Sequence, residues 1–321
     1  MTPLEPRGPV IAEGSPLGSL VTLPGAGGEV SETVTVHRSQ WELFRRRFMR
    51  HRMALISIGV LVLLFVLCFG ADIFAPYEAT RTGVPQDLLL GPVGPSGAHW
   101  FGTDELGRDV LSRILYAGQI SLKIGLAVAL LSTLVGTVVG AVAGYMGRAV
   151  DQGLMRLTDL FLIVPQIAIL AIALRVFGYK DITVILVLAG VFWMYEARVV
   201  RGQILSLKEK EFIEAARASG ASSTRIVVKH LLPNVIGPIM VNATLSVALA
   251  IITESTLSFL GFGVQPPKTS WGNMLSNAAG YVGTPRAYLL YFPGLAILLT
   301  VLAVNYLGDG LRDAFDPQSS H

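Results

Sequence analysis

Residues 124–146 read IGLAVALLSTLVGTVVGAVAGYM, 23 positions without one charged side chain. Wound as a helix at 1.5 Å per residue, such a run crosses the ~30 Å hydrocarbon layer of a bilayer. Its apolar residues are continuous rather than alternating, so it is not a barrel strand. Inside lipid every backbone N–H and C=O needs an internal partner, which leaves the α-helix. Outward from this segment the pattern repeats at 54–71 and 236–253 with 18 charge-free residues each, and at 287–308 with 22. Two shorter runs, 160–174 and 182–195, hold 15 and 14; extended through Gly178 and Val200 they complete the set as spans three and four. Six transmembrane helices in an all-α membrane protein are predicted.

Composition agrees. Of 321 residues, 52% are hydrophobic and 15% charged, and mean hydropathy is +0.59. Soluble domains carry nearer ~25% charged residues. The 34 glycines and 17 prolines follow no short period, which excludes a fibrous chain. Aromatic content of 8% is low for a nucleic-acid stacking surface, so no nucleic-acid partner is expected. A single cysteine, Cys68, excludes a disulfide framework and a cysteine zinc site.

The formal charge is only +3, but its distribution orients the chain. Arg38, Arg45, Arg46, Arg47, Arg50 and Arg52 precede span one; Arg201, Lys208, Lys210, Arg217, Arg225 and Lys229 fill the loop after span four. With both ends inside, 17 basic residues are cytoplasmic, six are outside, and Lys123 and Arg175 lie at membrane depth. The positive-inside rule therefore predicts N-in, C-in.

The predicted organisation is a disordered cytoplasmic tail (1–40), a basic juxtamembrane segment with the first span (41–76) and an extracytoplasmic segment (77–117). A core of five spans (118–309) with a cytoplasmic loop at 201–233 and a C-terminal tail (310–321) complete it. The first apolar run lies too far from Met1 for a cleaved signal, so it reads as an uncleaved anchor.

Three stretches stand out. The cytoplasmic loop reads KEKEFIEAARASG over 208–220 and ASSTRIVVKHLLP over 221–233. Two short helices separated at Gly220 are the natural parse, with Ser222 or Ser223 as a cap. Ala215 and Ala216 let another surface approach closely, and Glu214 places a charge beside it; an interfacial helix with a polar face reads the same residues equally well. The outer segment contains FGTDELGRD at 101–109, then Leu111, Ser112 and Arg113. Asp104, Glu105 and Asp109 lack calcium-loop spacing. A structural role at the start of span two is expected instead, with Asp104 and Asp109 near Arg108 and Arg113, Thr103 between them, and Gly102 and Gly107 making turns. The third stretch is ESTLSFLG at 254–261, followed by Pro266, Trp271 and Gly272. Glu254 lies at membrane depth, where an ionisable residue is a functional candidate: it either faces a pathway or is paired within the bundle.

Smaller signals concern packing. Gly136, Gly140 and Gly144 form a stripe suited to close helix approach. Pro165 is expected to kink span three. Asp159, Glu196 and Arg198 read as an ion-paired belt at the cytoplasmic span ends.

Together these motifs resemble the ABC-importer permeases, specifically the C-type permease subunit of dipeptide, oligopeptide and nickel importers. Glu214-Ala215-Ala216, Gly220 and Leu232-Pro233 resemble the family's EAA loop, although His230 stands where Ile is frequent. The 101–113 and 254–272 stretches resemble the subfamily's segments after span one and at the exit of span five. The resemblance runs from about Trp41 to Asp316. It implies the six-helix type I importer fold in a prokaryotic cytoplasmic membrane. It also implies a coupling role for Glu214, Ala215, Ala216, Gly220, Leu232 and Pro233, and peptides as the cargo. Implied partners are a second homologous permease, two cytoplasmic ATPases, an extracytoplasmic solute-binding protein and membrane lipid. No cofactor or metal is expected in this chain, since it has neither a Gly-Lys dipeptide for a Walker A loop nor an ABC signature; ATP and Mg²⁺ belong to the partners. The rival class is a stand-alone channel or secondary transporter, which calls for inverted repeats and midplane charges.

Overall fold

The structure, a computed structural model, describes residues 40–78 and 92–315. The predicted N-terminal tail up to residue 39, Arg81 with the rest of 79–91, and 316–321 lie outside the described residues.

The helices are α1 (Gln40–Arg50), α2 (Arg52–Phe69), α3 (Ala71–Phe74), α4 (Val110–Met146), α5 (Arg148–Ile163) and α6 (Gln166–Phe177), then α7 (Asp181–Leu207), α8 (Glu211–Ala218), α9 (Ile236–Phe259), α10 (Trp271–Ala278) and α11 (Tyr288–Phe315). α2, α4, α7, α9 and α11 are each long and apolar enough to cross a membrane. The remaining predicted span, 160–178, falls across the end of α5 and α6, a pair bent by 88°. The break is sharper than the expected kink because Val164, forced out of helical geometry by the proline after it, is extended at ψ 137°.

α4 has 37 residues, about 55 Å of helix, and begins well ahead of the charge-free run. Its two basic interruptions are answered from outside the helix: Arg113 pairs with Asp104, and Lys123 lies 3.2 Å from Asp181. The glycine stripe is the seam between α4 and α7. A Cβ on Gly136 would meet Glu196 Cβ at 2.4 Å, and one on Gly140 would meet the Ala197 carbonyl oxygen at 2.5 Å. Against this seam pack Ile124, Val128, Leu188 and Met194, joined by Leu170 and Leu174 from α6.

Two expectations change. Residues 310–315 are not a tail but the end of α11, where Phe315 packs on Phe44 of α1 at 4.5 Å and Gly310 abuts Ala54. Glu196 does not join a surface belt. Arg198 and Asp159 do pair, whereas Glu196 is buried opposite Gly136 and accepts a hydrogen bond from Asn242 of α9. The glycine leaves room for that carboxylate between the helices.

Candidate functional site

The cytoplasmic loop forms a small helix pinned by one side chain. Ile213 of α8 is fully buried among Ala141, Val200, Ile204, Ile226 and Leu231. Ala216, one turn on, is half-buried against the same cluster. Arg217 lies over the Tyr145 ring at 5.8 Å. Gly220 takes a left-handed φ of +79° that ends the helix, and its N–H donates to the Arg217 carbonyl at 2.9 Å. Ser222 caps the next turn weakly, accepting from the Arg225 N–H at 3.4 Å. A π turn (Ile226–Leu231) and a 3-10 turn (Leu232–Asn234) then lead into α9. Leu232 is half-buried in the cluster and Pro233 is exposed.

The opposite face of α8 carries Glu211, Phe212, Glu214, Ala215 and Ala218, all exposed. The two neighbouring alanines thus divide: Ala215 faces out and Ala216 faces in. The sequence reading missed Phe212, which is 43% exposed. Its signal was adjacency to Ile213, since consecutive helical residues do not share a face. The resulting surface is small and acidic with one aromatic knob, held at the ends of α4 and α7.

At the other end of α4, the 101–113 stretch is a clamp. Asp104 Oδ1 accepts from the Leu106 and Arg108 N–H groups at 2.9 Å each, and Oδ2 accepts from Arg108 Nε at 2.8 Å while pairing with Arg113. Asp109 caps α4: its Oδ2 accepts from the Ser112 N–H at 2.8 Å and Oγ at 2.7 Å, and its Oδ1 lies 2.9 Å from His99 Nδ1. Gly102 and Gly107 turn the chain at φ +77° and +67°. Thr103 Oγ1 accepts from the Val93 N–H at 2.9 Å. The Tyr288 hydroxyl lies 2.8 Å and 2.9 Å from the Val93 and Thr103 carbonyl oxygens, tying α11 to the loop. Glu105 accepts from the Tyr281 hydroxyl at 2.8 Å, and that bond raises the phenol above its ordinary pKa. The Asp104 and Asp109 oxygens are thus engaged within the protein. Among the described residues, no group of three or more His, Cys, Asp or Glu side chains is placed to hold a metal ion.

The 254–272 stretch joins this outer assembly. Trp271 is wholly buried; its indole Nε1 donates to the Ile114 carbonyl at 2.9 Å and its backbone N–H to Ser121 Oγ at 3.2 Å. Gly118 of α4 makes room for the indole, and Gly272 lies against the backbone of Ser255. Glu254 is 0% exposed, and its Oε1 accepts from Ser258 Oγ at 2.7 Å. A pathway position was one of its two expected placements. In the structure it is buried among the chain's own helices, with the start of α10 packed against its neighbour Ser255.

Two families match the chain. Residues 136–321 match "Binding-protein-dependent transport system inner membrane component", and residues 39–92 match "N-terminal TM domain of oligopeptide transport permease C". The chain is 43% identical over 281 residues to the oligopeptide transport system permease protein OppC of Escherichia coli K12, covering 88% of this chain and 92% of that protein. It is 40% identical over 273 residues to the dipeptide transport system permease protein DppC of Bacillus subtilis, covering 85% and 84%. A glutathione transport system permease protein, GsiD of Escherichia coli O6:K15:H31, is 43% identical over 282 residues, covering 88% and 91%. Among solved structures, an inward-facing MetNI methionine ABC transporter shares the fold with a TM-score of 0.52 at 20% identity, over 63% of this chain and 96% of that one.

Proposed function

We propose, from the premise that this chain belongs to the family of binding-protein-dependent transport system inner membrane components, that it forms half of the translocation pathway of an ATP-driven peptide importer. It is a multi-pass protein of a prokaryotic inner membrane with the type I importer fold. Peptide as the cargo is supported by the oligopeptide, dipeptide and glutathione permeases it resembles. The partners in this reading are a second homologous permease, two cytoplasmic ATPases that bind ATP and Mg²⁺, and an extracytoplasmic solute-binding protein.

The observation that carries the coupling role is the division of α8. Ile213 and Ala216 seat it on the ends of α4 and α7, while Glu211, Phe212, Glu214 and Ala215 are exposed. A partner gripping the exposed face would move the membrane helices through the buried one. The bundle then needs only two packings whose balance the ATPases shift. Gly220, Leu232 and Pro233 act by shaping the loop around this helix.

The test is mild-detergent purification of the tagged chain from its host, with partners identified by mass spectrometry. The wild-type chain is expected to bring down ATPase subunits and a second permease. Ala215→Arg should lose the ATPases while keeping the permease and an unchanged melting temperature. Recovery of the chain alone, under conditions that preserve other transporter complexes, would favour the channel class instead.

A further inference from the structure

α1 divides as cleanly as α8, with different chemistry. Leu43, Phe44, Arg47 and Phe48 are half-buried, and Phe44 stacks on Phe48 at 5.9 Å and packs at a tilt against Phe315 at 4.5 Å, so the helix is fixed on α11. The other face holds Arg45, Arg46, Met49 and Arg50, followed at the start of α2 by Arg52 and Met53, all exposed. Among the described residues, Arg45, Arg46, Arg50 and Arg52 have no carboxylate within 4.0 Å. His51 between them is engaged elsewhere: its Nδ1 accepts from the Ala54 N–H at 3.1 Å, and its Nε2 lies 3.5 Å from Asp313.

We propose that this face, built by Arg45, Arg46, Arg50 and Arg52 beside Met49 and Met53, binds the phosphate headgroups of anionic phospholipids in the cytoplasmic leaflet. The inference needs only the membrane topology and does not rest on the importer reading. Three observations favour lipid over a soluble partner. Met49, Met53 and Ile56 are 60%, 44% and 59% exposed at helical spacing, so an apolar line runs from the arginines onto the flank of α2. That flank continues through Val62, Leu63 and Val66, each more than half exposed, on a helix long and apolar enough to cross a membrane. Arg52 opens the spanning helix α2 and Arg45, Arg46 and Arg50 lie on α1 just before it, where the phosphates of a bilayer would stand, and a guanidinium fork fits a phosphate bidentately. Packing on α11 holds the helix in place before a lipid arrives, which lowers the ordering cost of binding.

The test uses the full chain with the subunits that purify with it, delipidated in detergent and offered equal phosphatidylglycerol and phosphatidylcholine of matched acyl chains. Native mass spectrometry reads the lipids retained. Wild type should prefer phosphatidylglycerol. Each Arg→Gln change should cut that preference about five-fold, and the quadruple Arg45→Gln, Arg46→Gln, Arg50→Gln, Arg52→Gln variant should abolish it. The matching quadruple Arg→Lys variant should retain most of it, and about 0.5 M salt should erase it in the wild type even if the glutamine variant fails to fold. Equal retention of the two lipids, or a preference that survives high salt, overturns the proposal. So does loss of a co-purifying subunit in the glutamine variant with phosphatidylglycerol retained, which would make the face a protein contact. Displacement of phosphatidylglycerol by millimolar inorganic phosphate would mark a free-anion site and overturn it as well.

Discussion

At the outer end of α4, Asp104 alone accepts from two backbone N–H groups and two arginines, and Trp271, Tyr288 and Asp109 lock three further segments around it. At the cytoplasmic end, α8 rests on one fully buried side chain, Ile213, and turns most of its length to solvent. The same 37-residue helix reaches both. The difference separates two roles for polar residues. Outside, they are spent on the chain's own geometry and make a rigid frame. On α8 they are left exposed, and the helix that carries them has little of its own core. An element seated this lightly can be displaced as a unit, which suits a lever and not a frame.

This contrast can be broken by substitution, and the largest effect should come from the clamp. Asp104→Ala leaves Arg113 buried without its carboxylate and should cost about 3–5 kcal/mol, read as a lower melting temperature in detergent. A variant that melts with the parent would mean the outer end is not a frame. Next, Ile213→Ala should cost about 2–4 kcal/mol, with its effect confined to the loop. Hydrogen exchange over 211–218 should accelerate while the spans stay protected; protection lost throughout the bundle would show that the loop supports the fold. Gly140→Ala, on the shaft between the two ends, forces α4 away from the Ala197 carbonyl and should cost about 1–3 kcal/mol. Its melting curve tests whether that seam is as tight as the Cβ contact implies. The smallest effect belongs to Phe212→Ser, within about 0.5 kcal/mol of the parent because the ring is exposed. The comparison sharpens if this near-silent change nonetheless removes the co-purifying ATPases, and fails at that residue if they remain.

Much of the architecture was legible beforehand. Runs such as 124–146 announce a span by hydropathy alone, and the glycine stripe at 136, 140 and 144 announced a seam without saying which helix faces it. The GTDELGRD stretch was readable as turns and ion pairs because glycine, aspartate and arginine at those spacings have few other uses. The extent of α4 was not legible: Arg113 and Lys123 end a charge-free count, and their partners Asp104 and Asp181 lie outside the helix. Glu196 was misjudged, and Glu254 was left between two placements, for a related reason. A carboxylate at membrane depth is a candidate for a pathway or an ion pair until its surroundings are known, and those surroundings are Ser258 for one and Asn242 for the other.

Sequence by itself determined that the chain is a multi-pass helical membrane protein and where its long apolar runs fall, and it predicts their direction and which loop is cytoplasmic. Those properties depend on sums of hydropathy and charge over contiguous residues. Tertiary structure alone decided that Ala215 faces outward while Ala216 faces inward, that the start of α10 packs against Ser255 beside Glu254, and that α11 runs on to Phe315 to hold α1. Each of these is a contact between residues far apart in the chain. The free energy of such a contact belongs to the pair and is carried by neither residue's own stretch of sequence.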